Sequence, residues 1–195
     1  HMKGGPAVPS ADTCPPTDSH TGGAAIRRAL SGGLLAFALF FLGHLFTAPG
    51  GAFQRELAAD LDWAVRPGHR LLGALPREHG KTTLGTVALV LREAASLSRR
   101  NMLIVGANQQ EASARLRLIV DELEGNDTLR AAVPGRLDPA LDAKHQRVAY
   151  GDREVVLSSG VRIAAAGLGA KVRGQLHDGR RLDLVVLDDP EDDYS

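Results

Sequence analysis

The nine residues 75–83 read Leu-Pro-Arg-Glu-His-Gly-Lys-Thr-Thr and constrain the fold more than any other stretch of the chain. A loop that ends in Gly-Lys-Thr where a helix begins offers backbone N–H groups and the positive helix end to a phosphate. The lysine ammonium suits the β- and γ-phosphates, and the threonine hydroxyl suits Mg²⁺. The residues that we assign to nucleotide binding in this loop are Glu78, His79, Gly80, Lys81, Thr82 and Thr83.

The context of the loop supports this assignment, although the full phosphate-binding pattern has glycine at the position of Leu75. The apolar run at residues 70–75 predicts a buried strand that leads into the loop. After the loop, apolar residues recur at the spacing of a helix: Leu84, Val87, Ala88, Leu91 and Ala95. The expected unit is therefore strand, loop and helix, which is the setting in which such a loop binds phosphate.

Composition narrows the class of protein only modestly. The chain has 195 residues, enough for one domain with a buried core, and its 23 basic side chains match 23 acidic ones. This balance gives no reason to expect a nucleic acid or a membrane as the partner, although local charge clusters leave that open. The single cysteine, Cys14, excludes an intramolecular disulfide and is typical of a reducing compartment, so we expect a cytoplasmic protein.

The first part of the chain divides into a leader and an apolar segment. His1-Met2 is typical of a cloning remnant, and the remaining residues of the range 1–23 predict a flexible leader, which leaves 24–195 as one domain. Residues 27–46 imitate a signal peptide, because two arginines precede an apolar run. The core of that run is too short to span a bilayer, so a buried or docking helix is the preferred interpretation.

The middle of the chain alternates helices and strands. Residues 52–61 predict a short amphipathic helix, in which Gln54 is suited to hydrogen-bond an adenine edge or, alternatively, to face solvent. Residues 102–107 predict a strand, and Asn108 followed by Glu111 predicts the start of another helix.

Three further segments are strand-like, namely 147–150, 154–157 and 161–166. A short Ser-Ser-Gly turn joins the last two, so we expect a hairpin. The alternation along the whole chain predicts an α/β fold with a mostly parallel sheet flanked by helices.

A pair of acids follows the last strand-like run. Residues 184–187 are Leu-Val-Val-Leu, and Asp188 and Asp189 come directly after them. In nucleotide hydrolases with this kind of loop, Mg²⁺ is held by the loop threonine and by an acid at the carboxyl end of a buried strand. Thr82 and Asp188 are therefore the expected metal ligands, and Asp189 is suited to orient or deprotonate the attacking water. The alternative is plain solvation of a strand end by an acidic segment.

The segment 167–181, between the hairpin and the last strand, is rich in glycine and carries four basic side chains. Near a γ-phosphate, such a loop is suited to present an arginine finger, in cis or to a neighbouring subunit. The alternative is a solvated loop without a chemical role.

These motifs together resemble the ATPase half of the phage terminase large subunit, the motor that pumps DNA into capsids. The most specific part is the loop at residues 76–83, which is similar to a variant Walker A of terminases that lacks the first glycine and has arginine three residues before the remaining one. The other similar parts are an Arg-Gly segment at 171–174, a Walker B segment at 183–189 and a lead-in at 47–57.

The resemblance implies a RecA-like P-loop NTPase of the ASCE class, which binds and hydrolyses Mg-ATP to drive DNA translocation. It implies Arg77 as an added phosphate contact, Arg173 as the arginine finger and Gln54 near adenine. As partners it implies double-stranded DNA, a procapsid portal, a small terminase subunit and a ring of identical subunits, in the cytoplasm of an infected bacterium and without a membrane. A β-hairpin is expected before the Walker B strand.

Two departures from the family pattern keep alternatives open. Many terminases have glutamate after the Walker B aspartate, whereas this chain has Asp189, and the sequence stops at Ser195, before the strands and the nuclease domain that follow in the family. We therefore expect a partial ATPase domain. The alternatives are a truncated or degenerate nucleotide-binding module with little turnover, and another RecA-like helicase or translocase.

Overall fold

The computed structural model describes residues 19–46, 50–73, 80–170 and 176–190. Its helices are α1 (Ser19–Ser31), α2 (Leu34–Phe41), α3 (Ala52–Ala64), α4 (Leu89–Ser96), α5 (Gln109–Gly125) and α6 (Asp127–Ala132). A 3₁₀ turn covers Gly43–Leu45, and a π-helical segment covers Thr82–Ala88, directly ahead of α4. The strands are β1 (Asn101–Gly106), β2 (Glu154–Val156), β3 (Arg162–Gly167) and β4 (Leu184–Leu187).

The four strands form one mixed sheet in the order β2-β3-β1-β4. The central strand β1 pairs in parallel with both neighbours, so that Leu103 lies opposite Ala164 in β3 and opposite Val185 in β4. The strand β2 is antiparallel to β3, which confirms the predicted hairpin. The chain therefore has the expected α/β architecture, with a mostly parallel sheet flanked by helices.

Several predicted elements are confirmed with small shifts in their bounds. The predicted strand at 102–107 is β1, and the Asn108 side chain caps α5 by accepting a hydrogen bond from the Glu111 N–H at 3.0 Å. The apolar residues after the predicted phosphate-binding loop are buried on one continuous helical stretch, which is buried on all sides over residues 86–95. At the other end of the chain, α1 begins at Ser19, inside the segment predicted as leader.

The apolar segment at 27–46 forms the end of α1, the helix α2 and the 3₁₀ turn, and two glycines separate the helices. Phe37 and Leu42 from this segment are completely buried, as expected for a buried helix. None of the helices in the described ranges has the length and apolar character that crossing a membrane requires.

Two predicted strands are wrong. Residues 69–73 form no regular structure and are exposed, with Leu72 fully in contact with solvent, whereas residues 74 and 75 lie outside the described ranges. Residues 147–150 contribute only isolated bridges. Residues 147–150 do bond to neighbours, because the Val148 N–H donates to the Ala140 carbonyl and the Val156 N–H donates to the Ala149 carbonyl, but Ala149 has φ +40°, which interrupts an extended strand. For residues 70–73, the reason is that an apolar run becomes a strand only where a neighbour completes its hydrogen bonds. Among the described residues, neither edge of the sheet takes a further strand.

The main core lies between the helices and one face of the sheet. That face presents Met102 and Ile104 from β1 and Ile163 and Ala165 from β3. The opposite face carries a smaller apolar cluster made of Leu103, Val105, Ala164 and Ala166. Next to this cluster, Val185 and Leu187 of β4 are 45% and 57% exposed, so the β4 edge of this face is open to solvent among the described residues.

A charge network, buried at Arg92 and Glu93 and partly exposed at Asp62, connects three helices. Asp62 in α3 accepts a hydrogen bond from the first backbone N–H of α2, at Leu34, and forms an ion pair with Arg92 in α4. Arg92 also pairs with Glu93 at 2.8 Å, and both side chains are almost completely buried. Since a buried charge without a partner is strongly destabilising, this network fixes the relative positions of α2, α3 and α4.

Two glycines let the first turn of α5 approach the carboxyl ends of the strands. A Cβ atom on Gly167 would lie 2.6 Å from the backbone N of Gln109, and one on Gly106 would lie 2.8 Å from the backbone N of Ala112. The Gln109 side chain also donates a hydrogen bond to the carbonyl of Ala165 at 3.1 Å. The position of α5 against β1 and β3 therefore depends on the absence of side chains at these two glycines.

We expect Gly167→Ala to lower the free energy of unfolding by about 1–3 kcal/mol, the usual cost of inserting a methyl group into a packed site. The added methyl would push α5 away from β3. Urea titration followed by circular dichroism measures the effect. Gly125→Ala is the matched control, because a Cβ there meets no atom within 4 Å. Equal midpoints for Gly167→Ala and the unsubstituted protein would contradict the expectation.

Candidate functional site

The helix that follows the predicted phosphate-binding loop begins at Lys81, one residue after Gly80, where the described residues resume. Gly80 has φ +74°, a left-handed conformation that glycine adopts without steric cost. Its carbonyl accepts a hydrogen bond from the Leu84 N–H at 2.9 Å, which closes the first turn. This turn fixes the backbone of Lys81 and Thr82 at the start of the helix.

The acidic pair lies at the carboxyl end of β4. The Asp188 N–H donates to the carbonyl of Val105 at 2.9 Å, so the ladder between β1 and β4 extends one residue beyond the strand. The Asp188 residue is only 7% exposed. Asp189 has φ +45°, a left-handed conformation in which aspartate is found more often than most residues.

The helix start and the strand end are in direct contact. The Thr82 hydroxyl donates to Oδ1 of Asp188 at 3.2 Å, across a sequence separation of 106 residues. The Lys81 ammonium forms an ion pair with Oδ1 of Asp189 at 3.0 Å. Four of the residues that the sequence assigns to one site are therefore brought together, at the carboxyl edge of the parallel strands where ligands of open α/β sheets bind.

A fifth side chain in the cluster is Arg115 of α5, which the sequence analysis missed. Its Nε donates to Oδ2 of Asp188 at 3.1 Å. Arg115 lies three residues after the buried Ala112 and one before the buried Leu116, so the helical repeat places it beside the apolar stripe of α5. A charged side chain next to the apolar stripe of a helix is the sequence signal that would have identified Arg115 as a candidate.

The spacing of two oxygen atoms in this cluster is compatible with adjacent ligands of a magnesium ion. Mg²⁺ prefers octahedral oxygen ligands at about 2.1 Å, which places adjacent ligands roughly 3 Å apart. The 3.2 Å between Thr82 Oγ1 and Asp188 Oδ1 is close to that spacing. Within the described ranges, no group of three or more His, Cys, Asp or Glu residues converges on a point. Magnesium does not need such a group, because it usually keeps several waters and binds through one or two carboxylates.

Gln54 has a structural contact that the sequence did not predict. Its side-chain oxygen accepts hydrogen bonds from the backbone N–H groups of Gly50 at 2.6 Å and Gly51 at 3.2 Å. This is one half of a capping box at the start of α3, and Gly51 has no side chain to supply the other half. The adenine contact of Gln54 stays a prediction.

Thr83 and four residues outside the described ranges complete the set that the sequence assigns to the site. Thr83 lies in the π-helical segment and is partly exposed. The remaining predicted residues, Arg77, Glu78, His79 and Arg173, lie outside the described ranges. Their roles as phosphate contacts and as an arginine finger stay predictions.

Comparisons with protein-family models, with curated proteins and with solved structures find no match to this chain.

Proposed function

We propose that the chain is a P-loop ATPase domain of the RecA-like class, which binds and hydrolyses Mg-ATP. The observation that carries this proposal is the hydrogen bond between Thr82 and Asp188. A hydroxyl at the start of a helix and a carboxylate at the end of a parallel strand are the two protein ligands that hold Mg²⁺ in such enzymes. Their contact across the fold supports the pairing that the sequence motifs predict.

Each side chain of the cluster then has a distinct role. Lys81 binds the β- and γ-phosphates through its ammonium group, and Thr82 and Asp188 hold the metal. Asp189 orients the attacking water and accepts its proton, because it follows the metal ligand directly and is 54% exposed at its side chain. When bound, Mg²⁺ would neutralise negative charge on the phosphates, and the side chains of the cluster would hold the metal and the nucleotide in place.

The biological setting that we propose is the DNA-packaging motor of a phage, as the large terminase subunit. The similarity of the loop at 76–83 and of the strand end at 183–189 to terminase motifs supports this assignment. It entails double-stranded DNA, a portal and a small terminase subunit as partners, and a ring of subunits in which Arg173 acts as the finger.

A module that binds nucleotide but turns it over slowly is a second candidate. The ion pair between Lys81 and Asp189 favours it, because in this arrangement the phosphate-binding ammonium is already neutralised by the group proposed to activate water. Residues 69–73, which are exposed and not part of the sheet, also leave the lead-in to the loop without the support of neighbouring strands.

Lys81→Ala is expected to weaken the binding of Mg-ATP by about 10- to 100-fold. The reason is the loss of a charge-assisted hydrogen bond to phosphate, worth about 1.5–3 kcal/mol. Isothermal titration calorimetry with a non-hydrolysable ATP analogue measures the affinity. Lys144→Ala, at an exposed lysine on another part of the chain, is the control and is expected to bind as the unsubstituted protein does. Equal affinities for all three proteins would exclude the proposed ATP site.

A further inference from the structure

We propose that Arg115 is a positioning residue for the metal-binding carboxylate of Asp188. This inference rests on the proposed ATP site and adds to it a residue on a helix that carries none of the nucleotide motifs. Arg115 does not touch the nucleotide or the metal in this proposal. It acts by fixing the orientation of the group that does.

The two oxygens of Asp188 have different partners. Oδ1 accepts from the Thr82 hydroxyl at 3.2 Å, whereas Oδ2 accepts from Nε of Arg115 at 3.1 Å. A carboxylate held at one oxygen by a guanidinium group has a restricted rotation about its last bond. Arg115 therefore keeps Oδ1 directed at Thr82, which is the orientation that a cation shared by these two ligands requires.

The ion pair between Arg115 and Asp188 is largely shielded from water. The side chains of Arg115 and Asp188 are 22% and 7% exposed. An ion pair that is shielded from water is screened less by solvent and salt than an exposed one. Arg115 also keeps the Asp188 charge from being buried without a partner in the metal-free protein, which is a strongly unfavourable state.

The helix that carries Arg115 is itself held firmly. Three completely buried side chains, Ala112, Leu116 and Ile119, anchor the same face of α5. The first turn of the helix packs directly on the glycines at the strand ends, with Gly167 closest to Gln109. The backbone from which Arg115 projects is therefore held by the packing of α5, and its guanidinium is held by the ion pair with Asp188.

The proposal is tested with Arg115→Lys, which keeps the positive charge but replaces a planar donor by a point charge on a flexible stem. The measured quantity is the gain in affinity for the ATP analogue AMP-PNP when EDTA is replaced by saturating Mg²⁺, obtained by calorimetry. We expect the substitution to reduce this gain about tenfold, since partners that orient a metal ligand typically contribute 10- to 100-fold to metal affinity. Affinity in EDTA is expected to change little, because the charge is retained.

Arg117→Lys is the matched control, since it makes the same exchange two residues along α5 at an exposed position. Its magnesium gain is expected to equal that of the unsubstituted protein. If Arg115→Lys also keeps the full gain, the positioning role is overturned while the ATP site stands. If the unsubstituted protein binds AMP-PNP in neither buffer, the proposed function fails first, and the role of Arg115 fails with it.

Discussion

Asp188→Asn is expected to reduce Mg²⁺-dependent ATP hydrolysis by about 100-fold or more. The substitution keeps the size of the side chain but removes the negative charge that holds Mg²⁺ in the proposed site. A metal in this position contributes several kcal/mol to the stabilisation of charge in the transition state, and each 1.4 kcal/mol corresponds to about tenfold in rate. The amide also offers a single oxygen acceptor, so Thr82 and Arg115 lose one of the two acceptors that they share in the native site.

Single-turnover phosphate release, with protein in excess over ATP, measures this effect. Asp152→Asn is the control, because Asp152 is exposed and lies just before β2. The strand β2 forms the edge of the sheet opposite β4. A thermal melt shows whether the substituted proteins remain folded. Hydrolysis at the unsubstituted rate in folded Asp188→Asn would remove this residue from the metal site.

The local features of this site could be predicted from the sequence because they follow from periodicity and capping. An apolar run at 184–187 followed by two acids predicts a strand with Asp188 directly after it, and β4 covers Leu184–Leu187. Asn108 predicts the start of α5 because its side chain can satisfy a free N–H of the first turn, as it does for Glu111. Both inferences need only the residues within one element.

Features that depend on contacts between elements were not predictable in the same way. Arg115 pairs with Asp188, 73 residues along the chain, and Arg92 pairs with Asp62 of α3, 30 residues before it. The predicted strand at 70–75 is wrong over residues 70–73 for the same reason, because apolar character indicates a tendency to pair but does not supply the neighbouring strand. The capping role of Gln54 was missed because only an adenine contact and exposure to solvent were considered for its side chain.

Asp189→Asn is expected to change binding and turnover in opposite directions. In the metal-free site Asp189 holds Lys81 in an ion pair at 3.0 Å, and ATP has to replace that pair. The Asp189 side chain is 54% exposed, so the pair contributes only about 0.2–1 kcal/mol, and its removal is expected to tighten ATP binding by up to about fivefold. Hydrolysis is expected to fall by about 10²- to 10⁴-fold, the usual contribution of a positioned general base.

Asparagine is the informative replacement because it tolerates the left-handed backbone of this position, φ +45°, as well as aspartate does. Asp178→Asn is the matched control, since Asp178 is also exposed and also has a positive φ, of 48°. Calorimetry in EDTA measures the affinity for ATP, and single-turnover phosphate release measures the rate of hydrolysis. Unchanged hydrolysis in Asp189→Asn would mean that Asp189 does not activate water. Tight ATP binding without hydrolysis in the unsubstituted protein would instead favour the module with little turnover, in which Asp189 only neutralises Lys81.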